Sequence, residues 1–301
     1  MNVLVAGLGK IAKVHIDALR ALMPDSKVYA LRSHRPSQEI DGVINIYGLD
    51  DNTTKFDFAI IANPSGLHAE TIENLLHLNI PLFIEKPLFT DLGDGKLLPK
   101  LEGVTTYVGC NLRFLDCVAF LRRYMQSHPD ERVNEVNVYC GSYLPNYRGE
   151  NYRCSFNALN ELGGGVHLDL IHDIDYVCYI FGLPDEVVGI RRNVSSLGID
   201  APDFAAYHLL YPRFTANVTL NYYSRQPKRI MEIVFENDVW TVDLRANTIT
   251  DSRGATVYRG DNTVADTYTA QMRHFLDCVS GKCRSLNDAS EAFGVLKICL
   301  A

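Results

Sequence analysis

Residues 3–12 read V-L-V-A-G-L-G-K-I-A, and the change of character within them decides the fold. A short apolar run, Val3-Leu4-Val5-Ala6, breaks into Gly7-Leu8-Gly9-Lys10-Ile11-Ala12. After the break, Ile11, Val14, Ala18, Leu19 and Leu22 recur at helical spacing. The pattern is strand, glycine turn, helix. Gly7 permits the tight turn, and Gly9 lets the backbone approach a pyrophosphate. Ala12 allows close helix–strand packing, and the helix N-terminus, at Lys10 and Ile11, faces the phosphates. The context of strand before and helix after turns a weak G-x-G-x-x-A match into a dinucleotide-binding fingerprint.

The same reasoning asks which dinucleotide. A carboxylate about 20 positions further on would hold a ribose 2′-hydroxyl. The second strand, residues 27–31, is instead followed by Arg32-Ser33-His34-Arg35. The guanidinium forks of Arg32 and Arg35, with the Ser33 hydroxyl, suit a 2′-phosphate dianion. NADP is therefore favoured over NAD, against the alternative of a solvated basic loop.

The chain has 301 residues, too many for one ordinary core, so two domains are expected. Hydrophobic residues make up 47% and charged residues 22%, as in a soluble globular enzyme. The formal net charge of −7, without a Lys/Arg run, argues against nucleic acid as partner. No apolar run is long enough for a membrane span, and a cytoplasmic protein is expected. The eight cysteines are scattered with no C-x-x-C, so buried thiols are expected and no metal site.

Short strands at 2–6, 27–31, 57–62, 82–85 and 104–108 alternate with helical patterns at 11–22, 67–78 and 91–100. This predicts a doubly wound parallel sheet over residues 1–115. Residues 42–47 suggest a further short strand. Beyond residue 115 the period changes to two: Phe214, Ala216, Val218, Leu220 and Tyr222 alternate with Thr215, Asn217, Thr219 and Asn221. Residues 116–301 are expected to form an α+β domain with a large, mostly antiparallel open sheet. Its apolar face packs on helices; its polar face is flat enough for a partner subunit. Helical patterns at 265–279 and 287–299 close the chain.

Three places carry chemistry. The buried strand 57–62 ends in Asn63-Pro64-Ser65-Gly66-Leu67-His68, beyond the carboxyl end of a strand, where α/β sheets bind ligands. Asn63, Pro64 and His68 are candidates for cofactor contact; a helix start capped by Ser65 is the alternative. The next strand ends in Glu85-Lys86-Pro87. There Glu85 and Lys86 are candidates for cofactor contact: the Lys86 ammonium can reach the junction of nicotinamide and substrate and favour an alkoxide over an alcohol, and Pro87 is a candidate for a cis bond; a surface Glu–Lys pair is the alternative. The third place is Gly163-Gly164-Gly165 followed by a helical pattern. On it Asp169, His172, Asp173 and Tyr176 share one face. A histidine beside carboxylates suits proton transfer near neutral pH, against the alternative of a solvated acidic face.

Together G-L-G-K-I-A at 7–12, E-K-P at 85–87 and the glycines with D…H-D-I-D up to 175 resemble the glucose–fructose oxidoreductase, inositol dehydrogenase and rhizopine-catabolism family. Asn111 and Arg113, in G-C-N-L-R-F, resemble that family's domain junction. The resemblance implies a Rossmann domain, a second domain whose open sheet makes homodimers or homotetramers, and hydride transfer to or from a sugar, sugar derivative or cyclitol. By resemblance Lys86 is the catalytic lysine and His172 the proton donor or acceptor. Asp169 departs from the family pattern: it stands three residues before His172 rather than four, and Leu168 occupies the usual aspartate slot. Asn111, Arg113, Tyr143, Tyr147, Arg148, Tyr152 and Arg153 are candidate substrate-binding residues; the aromatics can stack on a sugar ring and the arginines grip an anion. Packing of the loop is the alternative for them. Two rival functions remain open: a cofactor-retaining enzyme that cleaves a glycosidic bond, and a non-catalytic NADPH-binding sensor.

Overall fold

Six short, almost wholly apolar strands lie parallel in one sheet: β1 (Asn2–Ala6), β2 (Lys27–Leu31), β3 (Val43–Ile46), β4 (Phe58–Ile61), β5 (Leu82–Glu85) and β6 (Thr106–Gly109), in the order β3-β2-β1-β4-β5-β6. The computed structural model describes residues 1–33, 35, 39–49 and 54–301. Strand β4, F-A-I-I, is buried at every residue, as a parallel strand covered on both faces must be. The strand order reverses between β1 and β4, and the loops after both open onto that switch point.

Helix α1 (Lys10–Leu22) starts one residue after Gly9 and buries Ala12, His15, Ile16, Ala18 and Leu19. The 67–78 pattern is a 3₁₀ turn (Ser65–Leu67), helix α2 (His68–Leu75) and a second 3₁₀ turn. Ser65 makes no capping bond there, so that alternative falls away. The helix expected at 91–100 is a 3₁₀ run, Leu92–Leu101. Gly93, Gly95 and Pro99 explain it, since all three weaken an α-helix interior.

Two compact units divide the chain: Met1–Asn111 with Tyr268–Phe293, and Leu112–Thr267 with Gly294–Ala301. The C-terminal segment Tyr268–Phe293 thus clusters with the parallel sheet. Its Phe275 ring meets Phe58 edge-on at 5.2 Å and Phe83 at 5.4 Å.

The second unit holds an eight-stranded sheet. Its strands are β7 (Val133–Tyr143), β8 (Glu186–Arg192), β9 (Phe204–Leu210), β10 (Thr215–Asn221), β11 (Tyr223–Phe235), β12 (Val239–Asp243), β13 (Thr248–Thr250) and β14 (Thr256–Arg259), ordered β14-β13-β12-β11-β7-β10-β9-β8. Only the β7–β10 pair is parallel. Ala216, Val218, Leu220, Val136, Val138, Met231 and Ile233 are buried on the inner face. On the outer face Asn217 donates to Glu135 and Asn137 of β7, and its Oδ1 meets His208 of β9. Asn221, expected on the open polar face, is buried; it donates to the Tyr139 hydroxyl and accepts from the Ser224 amide. Helices α3 (Asp116–Ser127), α4 (Leu144–Arg148), α5 (Val166–Asp169) and α6 (His172–Phe181) belong to this unit, and α6 packs on α3 and β10. Two C-terminal helices follow, α7 (Val264–Val279) and α8 (Ala289–Cys299).

Candidate functional site

In the first unit, a cavity of about 490 Å³ lies beyond the ends of β1, β2 and β4. Ala6, Gly7, Arg32, Ser33, Asn63 and Pro64 are among the residues that line it. Gly7 sits at φ +87°, and a Cβ there would stand 2.5 Å from the backbone of Asn63. Only glycine lets the β1 and β4 turns approach so closely. A Cβ on Gly9 would meet nothing within 4 Å, so the start of α1 is open to a ligand. The Asn63 amide donates to the Thr71 hydroxyl at 2.8 Å, while its buried Oδ1 has no protein partner. An open helix N-terminus, an unpaired acceptor and an arginine at the rim fit a dinucleotide: phosphates at the helix, hydroxyls at Asn63. Arg35 packs its guanidinium over the Tyr47 ring at 4.1 Å; His34 lies outside the described residues.

The two strand-end turns are tied by His68. Its Nδ1 lies 2.9 Å from the Pro87 carbonyl and its Nε2 3.1 Å from the Asn63 carbonyl. The ring is fully buried, and burial lowers its pKa against the pull of those carbonyls. His68 therefore braces the two turns. Glu85 is also buried, with one carboxylate oxygen 2.5 Å from His15 Nε2 and the other accepting from the Lys86 amide. These contacts account for a carboxylate at the end of a buried strand. The Lys86–Pro87 bond is cis.

In the second unit the glycines and the helix behind them behave differently from the sequence pattern. Gly164 runs beneath the carbonyls of Phe156, Asn157 and Leu159, which a Cβ would strike. The helix then breaks: α5 ends at Asp169, Leu170 and Ile171 turn, and α6 starts at His172. Asp169 and His172 consequently end and begin two separate helices, and two of the four polar residues, Asp173 and Tyr176, are buried. Asp173 and Tyr176 are fully buried; Asp173 accepts from Arg229 at 3.0 Å and from the Tyr176 hydroxyl at 2.9 Å. Burial opposes the Arg229 charge, but Asp173 outweighs it and raises the Arg229 pKa. Neither a solvated face nor a catalytic one describes that pair: it holds α6 to β11.

Asp169 has different neighbours. Its Oδ2 accepts from Tyr222 at 3.0 Å and from Tyr147 at 3.3 Å. Burial first, and the Asp169 carboxylate second, push both tyrosine pKa values up, so both remain donors. Tyr222, buried at the bend between β10 and β11, is a neighbour of Asp169 that the strand pattern marks only as core.

The remaining candidates divide. Arg113 is buried and forms a fork with Asp175, Nε–Oδ2 2.9 Å and Nη2–Oδ1 2.7 Å, which ties it to α6. Asn111 is buried in the first unit. Tyr152 and Arg153 both donate to the Leu197 carbonyl, at 2.8 and 2.9 Å, and so pin a loop. Arg148 lies over the rings of Tyr147 and Phe156, and Tyr143 lies under Arg225. A larger cavity in this unit, about 880 Å³ beside Arg132, Arg213 and Phe214, contains none of these residues. One cluster that the scattered cysteines concealed is His274, Cys278 and Cys283, whose ligand atoms all lie within 4.8 Å of one another. Among the described residues no helix is long and apolar enough to cross a membrane.

Residues 1–103 match the family described as an oxidoreductase family with an NAD-binding Rossmann fold. The chain is 26% identical over 161 residues to 2,7-anhydro-N-acetylneuraminate hydratase of Escherichia coli, covering 52% of this chain and 42% of that one. It is 26% identical over 203 residues to inositol 2-dehydrogenase of Rhizobium meliloti, covering 64% and 57%. The chain spans about half the length of the curated relatives it matches. Among solved structures, the WlbA dehydrogenase of Chromobacterium violaceum, in complex with NADH and UDP-GlcNAcA, superposes with a TM-score of 0.84 at 18% identity, covering 100% of this chain and 92% of that one.

Proposed function

We propose that this chain, whose residues 1–103 match the model of the glucose–fructose oxidoreductase, inositol dehydrogenase and rhizopine-catabolism family of oxidoreductases, transfers hydride between a nicotinamide dinucleotide and a carbinol or carbonyl of a sugar, sugar derivative or cyclitol. The observation that carries this reading is the cavity at the strand-order reversal, with Gly9 open and Asn63 Oδ1 unpaired. The carbohydrate class is supported by the sugar- and cyclitol-directed names of the similar proteins.

A bound nicotinamide supplies the hydride acceptor or donor. In the oxidative direction neutral His172 takes the hydroxyl proton, and the Lys86 ammonium holds the developing alkoxide. Asp169, held by Tyr147 and Tyr222, orients a substrate hydroxyl by accepting its hydrogen bond. Arg32 and Ser33 at the cavity rim favour the 2′-phosphate of NADP over the bare ribose of NAD. Val188 and Ile190 are exposed on β8 in register with His208 and Ala206 of β9, on the sheet face that carries Asn217. This mixed face supports a homodimer or homotetramer through the second sheet.

The hydratase match favours a second reading, a redox-neutral reaction on a sugar with the nicotinamide retained. One experiment separates them. The protein is titrated calorimetrically with NADPH and NADH, then assayed with NADP against sugars, sugar acids, cyclitols and nucleotide sugars. Tighter NADPH binding, weakened in Arg32→Asp, and a sustained nicotinamide absorbance change are expected. On the substrate found, His172→Ala should lower kcat by about 10²–10⁴-fold with cofactor affinity unchanged. Equal affinity for both cofactors removes the NADP preference. Product formation without an absorbance change selects the redox-neutral reading.

A further inference from the structure

The His274–Cys278–Cys283 cluster lies in the first unit, on residues that the proposed chemistry does not use. His274 and Cys278 stand one turn apart on α7, and the turn after the helix, with Gly281 at φ +74°, brings Cys283 back to them. The two sulfurs are 3.4 Å apart. His274 Nε2 is 3.5 Å from Cys278 Sγ, and Nδ1 is 3.7 Å from Cys283 Sγ.

Three nitrogen and sulfur ligands at such distances invite a zinc ion. The imidazole argues against one. The Leu286 backbone N–H donates to Nε2 at 3.0 Å, which makes Nε2 an acceptor. Burial lowers the His274 pKa, so the ring is neutral and its single proton sits on Nδ1, facing Cys283. A metal on Nε2 would displace the Leu286 amide. A metal on Nδ1 would force the proton onto Nε2, against that same amide.

The same arrangement suits thiol chemistry. Nδ1–H faces the Cys283 sulfur at 3.7 Å, where it can stabilise the negative charge on that sulfur as it reacts. Cys283 is exposed to solvent. Cys278 is buried behind it, and burial pushes its thiol up to about 12, so it waits as a thiol.

We propose that Cys283 and Cys278 form a reversible redox pair, Cys283 reacting with a hydroperoxide and Cys278 resolving the product to a disulfide. The Cys283 thiolate attacks one peroxide oxygen, the O–O bond breaks, and the departing hydroxide or alkoxide takes a proton. Cys283 is then a sulfenic acid. The Cys278 sulfur attacks it, the S–O bond breaks, and water leaves with the Cys278 proton. Two thiols are oxidised by two electrons and the peroxide is reduced by two.

The test uses the reduced full-length protein and equimolar hydrogen peroxide, followed by alkylation and peptide mass spectrometry. A single Cys278–Cys283 link, two hydrogen masses lighter and reversed by dithiothreitol, is expected. Cys278→Ser should instead accumulate a dimedone adduct on Cys283. Cys154, also exposed, controls for exposure alone and should label more slowly. His274→Ala should slow the reaction by about tenfold, the loss of one hydrogen bond to a thiolate. Absence of the 278–283 link, dimedone labelling of Cys154 in preference to Cys283, or one equivalent of zinc that co-purifies and is lost in Cys278→Ser would each overturn the proposal.

Discussion

The two candidate sites are built from different materials. The cavity of the first unit is made by backbone: a glycine at positive φ, the open start of a helix, and turns at the ends of parallel strands. Asp169 of the second unit is held by side chains, from Tyr147 on α4 and Tyr222 between β10 and β11. The glycine turn at the centre of the first is encoded within a dozen residues. A side-chain-built site needs partners 22 and 53 positions away, and its surrounding ion pairs must form before it has a shape.

That contrast can be broken most forcefully at Arg113. Its fork with Asp175 is almost wholly shielded from water. Removing one partner leaves an uncompensated buried charge, so Arg113→Ala should cost about 3–5 kcal/mol. The loss should fall on the second unit. Calorimetric scanning should show its transition shifted down while the first unit still binds dinucleotide; joint loss of both would mean that the units are not separable in this way.

Acid probes both units at once. His167, in the second unit, has its pKa lowered from 6.5 to about 4, by burial and then by Arg191. His68, in the first, is lowered by burial. The unfolded chain binds protons that the folded chain refuses, so this stability is complete above pH 6.5 and is lost as the pH falls towards 4. For His167 the loss is about 3 kcal/mol. His167→Gln should flatten the pH dependence of chemical denaturation between those limits.

A smaller effect tests the backbone-built cavity. Gly7→Ala must hold a Cβ at φ +87° against the Asn63 backbone. About 1–2 kcal/mol of strain is expected, read as a roughly tenfold or greater loss of dinucleotide affinity in calorimetry. Unchanged affinity would show that the turn is not the binding element. The smallest effect is at Tyr222. Tyr222→Phe removes one hydrogen bond to Asp169, worth about 1 kcal/mol. KM for the substrate should rise several-fold with cofactor affinity unchanged; a change confined to cofactor affinity would take Asp169 out of the substrate site.

The strand candidates of the first third, the glycine turn and the short strand near residue 44 were legible because apolar runs and turn residues act locally. The α-helix expected at 91–100 was misread: its spacing is helical, but Gly93, Gly95 and Pro99 tighten it to 3₁₀. The helix through 169–176 was misread for another reason. Its periodicity is right on both sides, yet Leu170 and Ile171 turn, and nothing apolar in the pattern marks that break.

What the sequence alone determined is therefore the parallel sheet, the glycine turn that opens its switch point, and the change to long alternating strands. Each depends on backbone preferences within a few neighbours. Only the tertiary structure decided which polar residues are free to act. Arg113, Glu85, His68 and Asp173 read as site residues in one dimension, and each is buried on a partner in three. The physical reason is desolvation: a buried charge or imidazole persists only where a distant group satisfies it. That pairing is a property of the packed chain, invisible in local spacing.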